Sequence, residues 1–242
     1  MAIKRKGIFY TELQHGLIAT KDIFYVFPEV TKSIIHKALF ADRILVFGEY
    51  WKSVLEKGVE YSSEKIEKIG YYLYDDFNGF DEIKDSINKF ADGKKIILIT
   101  TQTSLHDYFV TYIKWLANDI NTNKLPYKII VKNHPLEKPE HYKVLEGIAN
   151  VKIMNCPLPL LFKQSSLHIS IYSTTLFDGV RYGITGYALD VAQCSDYVNE
   201  LVASGVAKKI GLNQNPTSLE AISSSLDGQY FYEQFENSVG IL

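Results

Sequence analysis

Short runs of β-branched and aliphatic residues alternate with longer segments of helical period between residues 94 and 209. This alternation is typical of βαβ units, in which a crossover helix follows each strand of a parallel sheet. The pattern predicts strands at Ile96–Thr101, Tyr127–Lys132, Val151–Met154, Leu167–Ile171 and Thr185–Leu189. It predicts helices at Asp107–Asn121, Glu140–Ala149, Leu158–Gln164 and Thr175–Gly183. The expected fold class is α/β, with a doubly wound parallel sheet of the Rossmann-like type.

A weaker version of the same pattern precedes this region. Strands are expected at Gly7–Leu13 and Arg43–Phe47, with a helix at Glu49–Lys57 after the second. A further strand is expected at Lys68–Tyr74, an acidic turn at Asp75–Asp76 and a charged helix at Asp81–Ala91. Two amphipathic helices are expected at the end of the chain, at Ser218–Leu226 and Gln229–Asn237. We therefore predict an abridged N-terminal α/β part over residues 1–92 and a Rossmann-like domain over residues 93–242.

Composition and charge exclude several classes of protein. Hydrophobic residues make up 46% of the chain and charged residues 22%, which excludes disordered and fibrous proteins. The 26 basic and 28 acidic side chains give a formal charge of -2, so no overall positive field favours a nucleic-acid partner. No apolar run approaches the roughly 18 residues of a spanning helix, and the N-terminus lacks the pattern of a signal peptide. We expect a cytoplasmic protein without a membrane span, which leaves room for peripheral association.

The cysteines, the histidine spacing and the missing motifs point to no metal and no cofactor. Cys156 and Cys194 lack the spacing of a zinc site or a disulfide framework and are expected as small core residues. Four histidines without metal-ligand spacing are expected at the surface or in the core: His36, His106, His141 and His168. The chain has no G-x-G-x-x-G, P-loop, G-x-S-x-G or H-E-x-x-H motif, which argues against dinucleotide oxidoreductases, P-loop NTPases, α/β-hydrolases and zincins.

Polar residues follow three of the predicted strands, at the edge where open α/β sheets bind ligands. Thr101 ends the first strand, and Gln102 and Thr103 follow it. His134 and Pro135 follow the second strand, and Ser173, Thr174 and Thr175 follow the fourth. A strand order of 3-2-1-4-5 makes the first and fourth strands neighbours, so the first and last groups then face one crevice. These eight residues are predicted to bind a nucleotide.

Each of these groups also has a purely structural interpretation. The hydroxyls of residues 173–175 and the free N–H groups of the helix that they open suit a phosphate. Thr175 and Asp178, however, also have the spacing of a capping box. His134 suits a phosphate or ribose oxygen, or it is a loop histidine with partners of its own. Both alternatives stay open from the sequence.

A third candidate lies near the N-terminus, in the segment Glu12–Gly16 (ELQHG). Gly16 allows close approach of the backbone to a ligand, and His15 is suited to act as an acid, a base or a phosphate contact. A hairpin-like turn without chemistry is the structural alternative. We take His15 as the candidate catalytic residue and Gly16 as its loop residue.

The motifs Val131–Pro135 (VKNHP) and Ser173–Thr175 resemble the His-Pro and Ser/Thr motifs of GT-B fold glycosyltransferases. The most similar families are bacterial sialyltransferases, polysialyltransferases and CDP-glycerol glycerophosphotransferases, which build surface polysaccharides such as capsules. The resemblance implies the C-terminal half of such an enzyme, in which His-Pro contacts the donor nucleotide and the Ser/Thr pair binds the donor phosphate. It also implies that His15 and Gly16 lie in the interdomain cleft.

The resemblance further implies metal-independent transfer of a sugar or polyol phosphate to a glycan or lipid-linked acceptor. It implies a nucleotide-sugar substrate rather than a cofactor, with CMP or CDP favoured over UDP. The UDP-GlcNAc 2-epimerases share the architecture and are an alternative. Residues 1–92 are too few for a full acceptor domain, so we expect either an abridged domain or a fragment. A non-catalytic nucleotide-sugar-binding or regulatory subunit, completed by a partner chain or an oligomer, is the second alternative.

Overall fold

The structure is a computed structural model that describes residues 4, 6–20, 25–27, 29–31, 34, 40–58, 61–71, 79–218 and 228–232. The chain forms two compact units, Met1–Leu73 with Asp227–Leu242, and Tyr74–Leu226. The first unit thus includes the C-terminus, and the second begins before residue 93, so the predicted boundary at residues 92 and 93 stays a prediction. No helix among the described residues is long and apolar enough to cross a membrane.

The first unit contains a small parallel sheet. Its strands are β1 (Thr11–Leu13), β2 (Arg43–Val46) and β3 (Ile66–Lys68), in the order β1-β2-β3. Helix α1 (Glu49–Leu55) follows β2 and buries Trp51, whose Nε1–H donates to the carbonyl of Phe231 at 2.8 Å. This hydrogen bond joins Phe231 to helix α1 within one unit.

The second unit is built on a six-stranded sheet whose strands all run parallel. Its strands are β4 (Lys95–Thr100), β5 (Tyr127–Lys132), β6 (Val151–Ile153), β7 (Leu167–Ser170), β8 (Thr185–Leu189) and β9 (Ala207–Ile210). Its helices are α2 (Asp81–Ala91), α3 (His106–Thr122), α4 (Leu158–Gln164), α5 (Thr175–Arg181) and α6 (Ser195–Ala203). A short helix α7 (Gly228–Phe231) belongs to the first unit.

The strand order is β6-β5-β4-β7-β8-β9, which confirms the doubly wound fold and the predicted pairing of the first and fourth strands. Within the β4–β7 pair, Leu98 lies opposite His168 and Ile99 lies opposite Ile169. Ser170 Oγ donates to the carbonyl of Thr100 at 2.8 Å and continues the pairing at the carboxyl ends. The topological switch point of the sheet therefore lies between β4 and β7.

Strand β4 is buried on both faces, as expected for a central parallel strand. Residues 96–99 of this strand are at most 2% exposed. Ile96 and Leu98 pack with Ile87 of α2 and with Leu161 and Phe162 of α4. Because successive side chains of a strand alternate in direction, Ile97 and Ile99 point to the opposite face. Burial of both faces explains why this segment appears in the sequence as a continuous apolar run.

Three predicted elements differ from the structure. The segment predicted as a helix at 140–149 is a 3₁₀-helix at Pro139–Leu145, where the buried Tyr142 and Leu145 are spaced at 3.0 residues per turn. Strand β3 ends at Lys68, where a strand was predicted to begin, because the chain turns at Gly70 with φ of 78°. The predicted strand at 7–13 is limited to its last three residues.

Strand β9 was not predicted, because half of its four residues, Lys208 and Lys209, are charged. It lies at the edge of the sheet, where lysines are common. Several predicted segments lie outside the described residues, namely 72–74, the acidic turn at 75–76, and most of the two closing helices at 219–226 and 233–237.

A substitution at Gly186 of β8 tests how closely Val206 and Leu176 pack against this strand. A Cβ atom added there would lie 2.8 Å from the carbonyl oxygen of Val206 and 3.3 Å from Cδ2 of Leu176. We expect Gly186→Ala to lower the free energy of unfolding by about 1–3 kcal/mol, because the backbone oxygen has to move. Denaturant unfolding measures the change, with Gly211→Ala as the matched control, since no atom lies within 4 Å of its added Cβ. Equal effects of the two substitutions would contradict the packing at β8.

Candidate functional site

The carboxyl ends of β4 and β7 are joined by the side-chain amide of Gln102. Its Nε2 donates to the carbonyl of Tyr172 at 2.8 Å, and its Oε1 accepts the N–H of Tyr172 at 2.8 Å. The amide therefore extends the pairing of the two strands past their last residues. Gln102 was predicted to contact a nucleotide, and that contact stays a prediction, but the structure gives this residue a bridging position at the switch point.

A chain of hydrogen-bonded side chains begins at Ser173, the residue after Tyr172, and we call it the hydroxyl chain: Ser173, Thr175, Thr100 and His168. Thr175 donates its N–H at 3.2 Å and its hydroxyl at 2.9 Å to Ser173 Oγ. Thr175 Oγ1 is also 2.8 Å from Thr100 Oγ1, which is 2.9 Å from Nε2 of His168. The chain runs from the half-buried Ser173 to the fully buried His168.

The contacts of the hydroxyl chain decide whether Thr175 and Asp178 form a capping box, which is the structural alternative for this segment. The N-cap residue of α5 is Thr174, and no side-chain cap hydrogen bond forms there. Thr175 lies inside the helix, and its hydroxyl bonds Ser173 and Thr100 instead of a free N–H of the first turn. The Thr175–Asp178 spacing therefore does not form a capping box in this structure.

A second set of contacts joins the ends of β4 and β5, and we call it the Glu137 network: Thr101, His134, Glu137 and Tyr142. The carboxylate of Glu137 accepts the hydroxyl of Thr101, the N–H of His134 at 3.1 Å and the hydroxyl of Tyr142 at 2.7 Å. Burial raises the pKa of Tyr142, whose ring is fully enclosed. The phenol therefore stays protonated and remains a donor to Glu137.

The Glu137 network fixes the turn that presents the His134 ring. Glu137 N–H donates to the carbonyl of His134 at 2.9 Å and closes the turn. Leu136 N–H donates to Nδ1 of His134 at 3.2 Å. Because Nδ1 accepts this hydrogen bond, the proton of the neutral ring is on Nε2. His134 is thus held as a donor at the carboxyl end of β5, next to the exposed Pro135.

Most of the residues predicted to bind a nucleotide are therefore held by hydrogen bonds in the structure. Thr101 and His134 belong to the Glu137 network, and Ser173 and Thr175 belong to the hydroxyl chain. Thr103 is exposed in the turn after β4. Four members of these networks were not predicted as site residues: Thr100, Glu137, Tyr142 and His168. Of these, only Glu137 has a local signal, because it lies three residues after His134, the spacing of a closed turn.

In the first unit, the segment around His15 is held by its neighbour Gln14. Gln14 is fully buried, its Oε1 accepts the N–H of Phe47 at 2.9 Å, and its Nε2 donates to the carbonyl of Gly16 at 3.0 Å. His15 itself is exposed, and its Nδ1 is 3.1 Å from the hydroxyl of Tyr25. The catalytic role of His15 and the loop role of Gly16 stay predictions.

Both cysteines are buried and free, so they occupy the core positions expected of them. Within the described ranges, no group of three or more His, Cys, Asp or Glu side chains is placed to hold a metal ion. Two of the remaining histidines, His106 and His141, stack with ring centroids 4.0 Å apart.

No model of a protein family matches the chain, and no curated protein matches it. Solved structures do. MnaA of S. aureus with UDP matches 88% of this chain and 59% of that one, with a TM-score of 0.59 and 18% identity. The UDP-GlcNAc 2-epimerase of Neisseria meningitidis bound to UDP-GlcNAc matches 87% of this chain and 60% of its own, with a TM-score of 0.57 and 18% identity. A glycosyltransferase of Rickettsia africae matches 88% and 59%, with a TM-score of 0.50 and 14% identity.

The chain spans about three-fifths of the length of each of these proteins. At 14–18% identity, the likeness concerns the fold. The chain has the α/β, Rossmann-like fold of GT-B glycosyltransferases and UDP-GlcNAc 2-epimerases.

Proposed function

We propose that the chain is a glycosyltransferase that binds a nucleotide-activated sugar at the carboxyl ends of β4, β5 and β7. The observation behind this proposal is the state of Ser173. Its Oγ accepts two hydrogen bonds from Thr175, while its own proton has no acceptor among the described residues. A hydroxyl in that state is a donor, and the phosphate oxygens of a nucleotide are strong acceptors.

His134 supplies a second donor in this proposal. The ring presents Nε2–H because Nδ1 is occupied by the N–H of Leu136. Nε2–H suits a phosphate or ribose oxygen, and Pro135 and Thr101 fix the direction of the turn. The similarity of this segment to the His-Pro motif supports the assignment, as do the nucleotides bound in two of the similar solved structures.

The proposed reaction moves the sugar from the nucleotide to an acceptor hydroxyl. The bond between the anomeric carbon and the phosphate oxygen breaks, and its electron pair stays on the leaving phosphate. Ser173 and His134 then donate to the oxygen on which charge grows. The acceptor oxygen forms the new bond to carbon, and a general base takes its proton. We propose His15 as that base and protein donors rather than a metal for the phosphate, which assays with and without EDTA test.

The nucleotide and the acceptor complete the proposal. The His-Pro resemblance supports a CMP or CDP donor, whereas the MnaA structure contains UDP and the UDP-GlcNAc 2-epimerase structure contains UDP-GlcNAc. We propose CMP or CDP first and UDP second, with a surface-polysaccharide glycan or lipid-linked chain as acceptor. Transfer of a polyol phosphate from CDP would use the same donors at its phosphate.

The TM-score of 0.57 to the UDP-GlcNAc 2-epimerase of Neisseria meningitidis supports a second candidate, a nucleotide-sugar epimerase. Incubation with UDP-GlcNAc in D₂O distinguishes the two. Deuterium at C2 of the sugar, without an added acceptor, is expected of an epimerase, and retention of hydrogen at C2 is expected of a transferase. Binding without any turnover would favour a nucleotide-sugar-binding subunit.

We expect Ser173→Ala and His134→Ala each to weaken nucleotide binding by about 1–3 kcal/mol, since each removes a donor to the ligand. Calorimetry with CMP, CDP, UDP, GDP and their sugar conjugates measures the affinities. Ser204→Ala is the matched control. Ser204 donates to the carbonyl of Leu201 at the end of α6, just before β9 begins, and therefore lies at the amino ends of the strands. Unchanged affinity in both variants, with the fold intact, would show that the nucleotide does not bind at these residues.

A further inference from the structure

The buried end of the hydroxyl chain is an unusual histidine. His168 lies within β7 and is 0% exposed. Its Nε2 contacts Thr100 Oγ1 at 2.9 Å, whereas its Nδ1 has no hydrogen-bond partner among the described residues. The Phe162 ring lies edge-on to the imidazole with the ring centroids 5.1 Å apart, and a Cβ atom added at Gly179 would lie 3.4 Å from Nδ1. A buried polar atom without a partner calls for a physical reason.

The direction of the hydrogen bonds follows from counting protons. Thr175 Oγ1 donates its only proton to Ser173 Oγ. In the 2.8 Å contact between the two threonine hydroxyls, the donor must therefore be Thr100. The proton of Thr100 is then used, so the donor in the 2.9 Å contact with His168 must be Nε2–H. Every bond of the chain thus points from the buried imidazole towards Ser173.

The opposite direction is disfavoured by burial. If Thr100 donated to Nε2 of His168, the neutral ring would hold its proton on Nδ1. That N–H would be buried without an acceptor, and such groups are rarer and more costly than an unpaired lone pair. Burial also lowers the pKa of His168 to about 3, so the ring stays neutral at ordinary pH and has one N–H to place. The orphaned Nδ1 is consistent with a ring whose proton is held at Nε2.

We propose that His168 is a positioning residue that orients the hydroxyl chain, so that Ser173 always presents its proton, and never a lone pair, to the bound ligand. The proposal rests on the function proposed above and adds a rule of selection to it. A group that accepts hydrogen bonds, such as a phosphoryl oxygen, fits opposite Ser173, whereas a group that only donates does not. Aligned hydroxyls also polarise one another, which strengthens the last donor of the chain.

The first test concerns the imidazole and needs no ligand. Long-range ¹H–¹⁵N spectra of the ¹⁵N-histidine-labelled full chain report which ring nitrogen is protonated, and His168→Gln identifies the signals of His168. We expect the Nε2–H form at neutral pH, with no titration of the ring above about pH 4. An Nδ1–H form would overturn the proposal, whether or not a nucleotide binds.

The second test interrupts the hydroxyl chain at a residue that does not contact the ligand in the proposed site. Thr100→Val is isosteric but has no hydroxyl, and we expect it to weaken nucleotide binding about 3- to 10-fold. Thr100→Ser keeps the hydroxyl and is expected to recover the lost affinity. His168→Leu and His168→Gln form the same comparison at the other end, since the amide of glutamine offers an N–H donor. Thermal unfolding of each variant, followed in parallel, identifies those that fail to fold.

The third test asks whether the effect passes through Ser173. In a double-mutant cycle, Thr100→Val is expected to cost nothing further once Ser173→Ala has removed the last donor. Equal losses from Thr100→Val with and without Ser173→Ala would overturn the relay and leave the proposed nucleotide site standing. If the wild-type chain binds no nucleotide, the proposed function fails, and the tautomer of His168 alone decides the direction of the chain.

Discussion

Replacing Phe162 with alanine is expected to lower the free energy of unfolding by about 3–5 kcal/mol. Phe162 is 1% exposed and lies on α4, where it packs on the same face of the sheet as Ile96 and Leu98. Its ring stacks on Tyr182 at 5.2 Å and meets the ring of His168 edge-on at 5.1 Å. Truncation therefore loses buried apolar surface, leaves a cavity and removes the ring that packs edge-on against His168.

Denaturant unfolding of the variant measures this loss. Phe9→Ala is the matched control, because it removes the same atoms from a ring that is 65% exposed, and we expect it to change stability by about 0.5 kcal/mol or less. Phe162→Leu, which retains part of the volume, is expected to fall between the two. If Phe162→Ala were no more destabilising than Phe9→Ala, the packing of α4 against the sheet would be wrong.

The central strands could be predicted from the sequence because burial on both faces leaves a continuous apolar run. Strands β5 and β8 agree with the predicted bounds, and β4 differs by one residue at each end. The edge strand β9 could not be predicted in this way, because half of its residues are lysines. The 3₁₀-helix after β5 was mistaken for an α-helix, since buried residues three apart fit both periods.

The grouping of the candidate residues could also be predicted, because the carboxyl ends of parallel strands meet at one edge of the sheet, whereas their contact with a nucleotide stays a prediction. That rule located Thr101, His134, Ser173 and Thr175. It could not locate Thr100 and His168, which lie inside strands and have the sequence pattern of core residues. Their contact depends on the register of β4 with β7, which no local pattern specifies.

The end of β4 contributes to both networks through two consecutive threonines. Side chains alternate across a strand, so Thr100 and Thr101 point in opposite directions at the point where β4 ends. Thr100 contacts Thr175 and His168 on the β7 side, whereas Thr101 contacts Glu137 and the N–H of His134 after β5. One strand end at the switch point thus fixes the two proposed donors, Ser173 and His134.

Glu137→Ala is the second substitution with a large expected effect. The carboxylate accepts hydrogen bonds from the Thr101 hydroxyl, the His134 N–H and the Tyr142 hydroxyl, and its removal leaves all three donors without this acceptor. Each buried donor left unsatisfied costs about 1–3 kcal/mol, and water reaches part of this half-buried turn, so we expect a total loss of roughly 2–4 kcal/mol. The His134 turn is then free to reorient, and nucleotide affinity is expected to fall with it.

Thermal and denaturant unfolding measure the loss of stability, and calorimetry with the preferred nucleotide measures the loss of affinity. Glu140→Ala is the matched control, because Glu140 lies three residues further along the chain and is exposed in the first turn of the 3₁₀-helix. Glu137→Gln keeps a carbonyl acceptor and is expected to lose roughly 1 kcal/mol of stability. A Glu137→Ala protein as stable as Glu140→Ala would show that Glu137 does not hold the turn. Reduced stability with unchanged affinity would instead separate the turn from ligand binding and remove His134 from the proposed site.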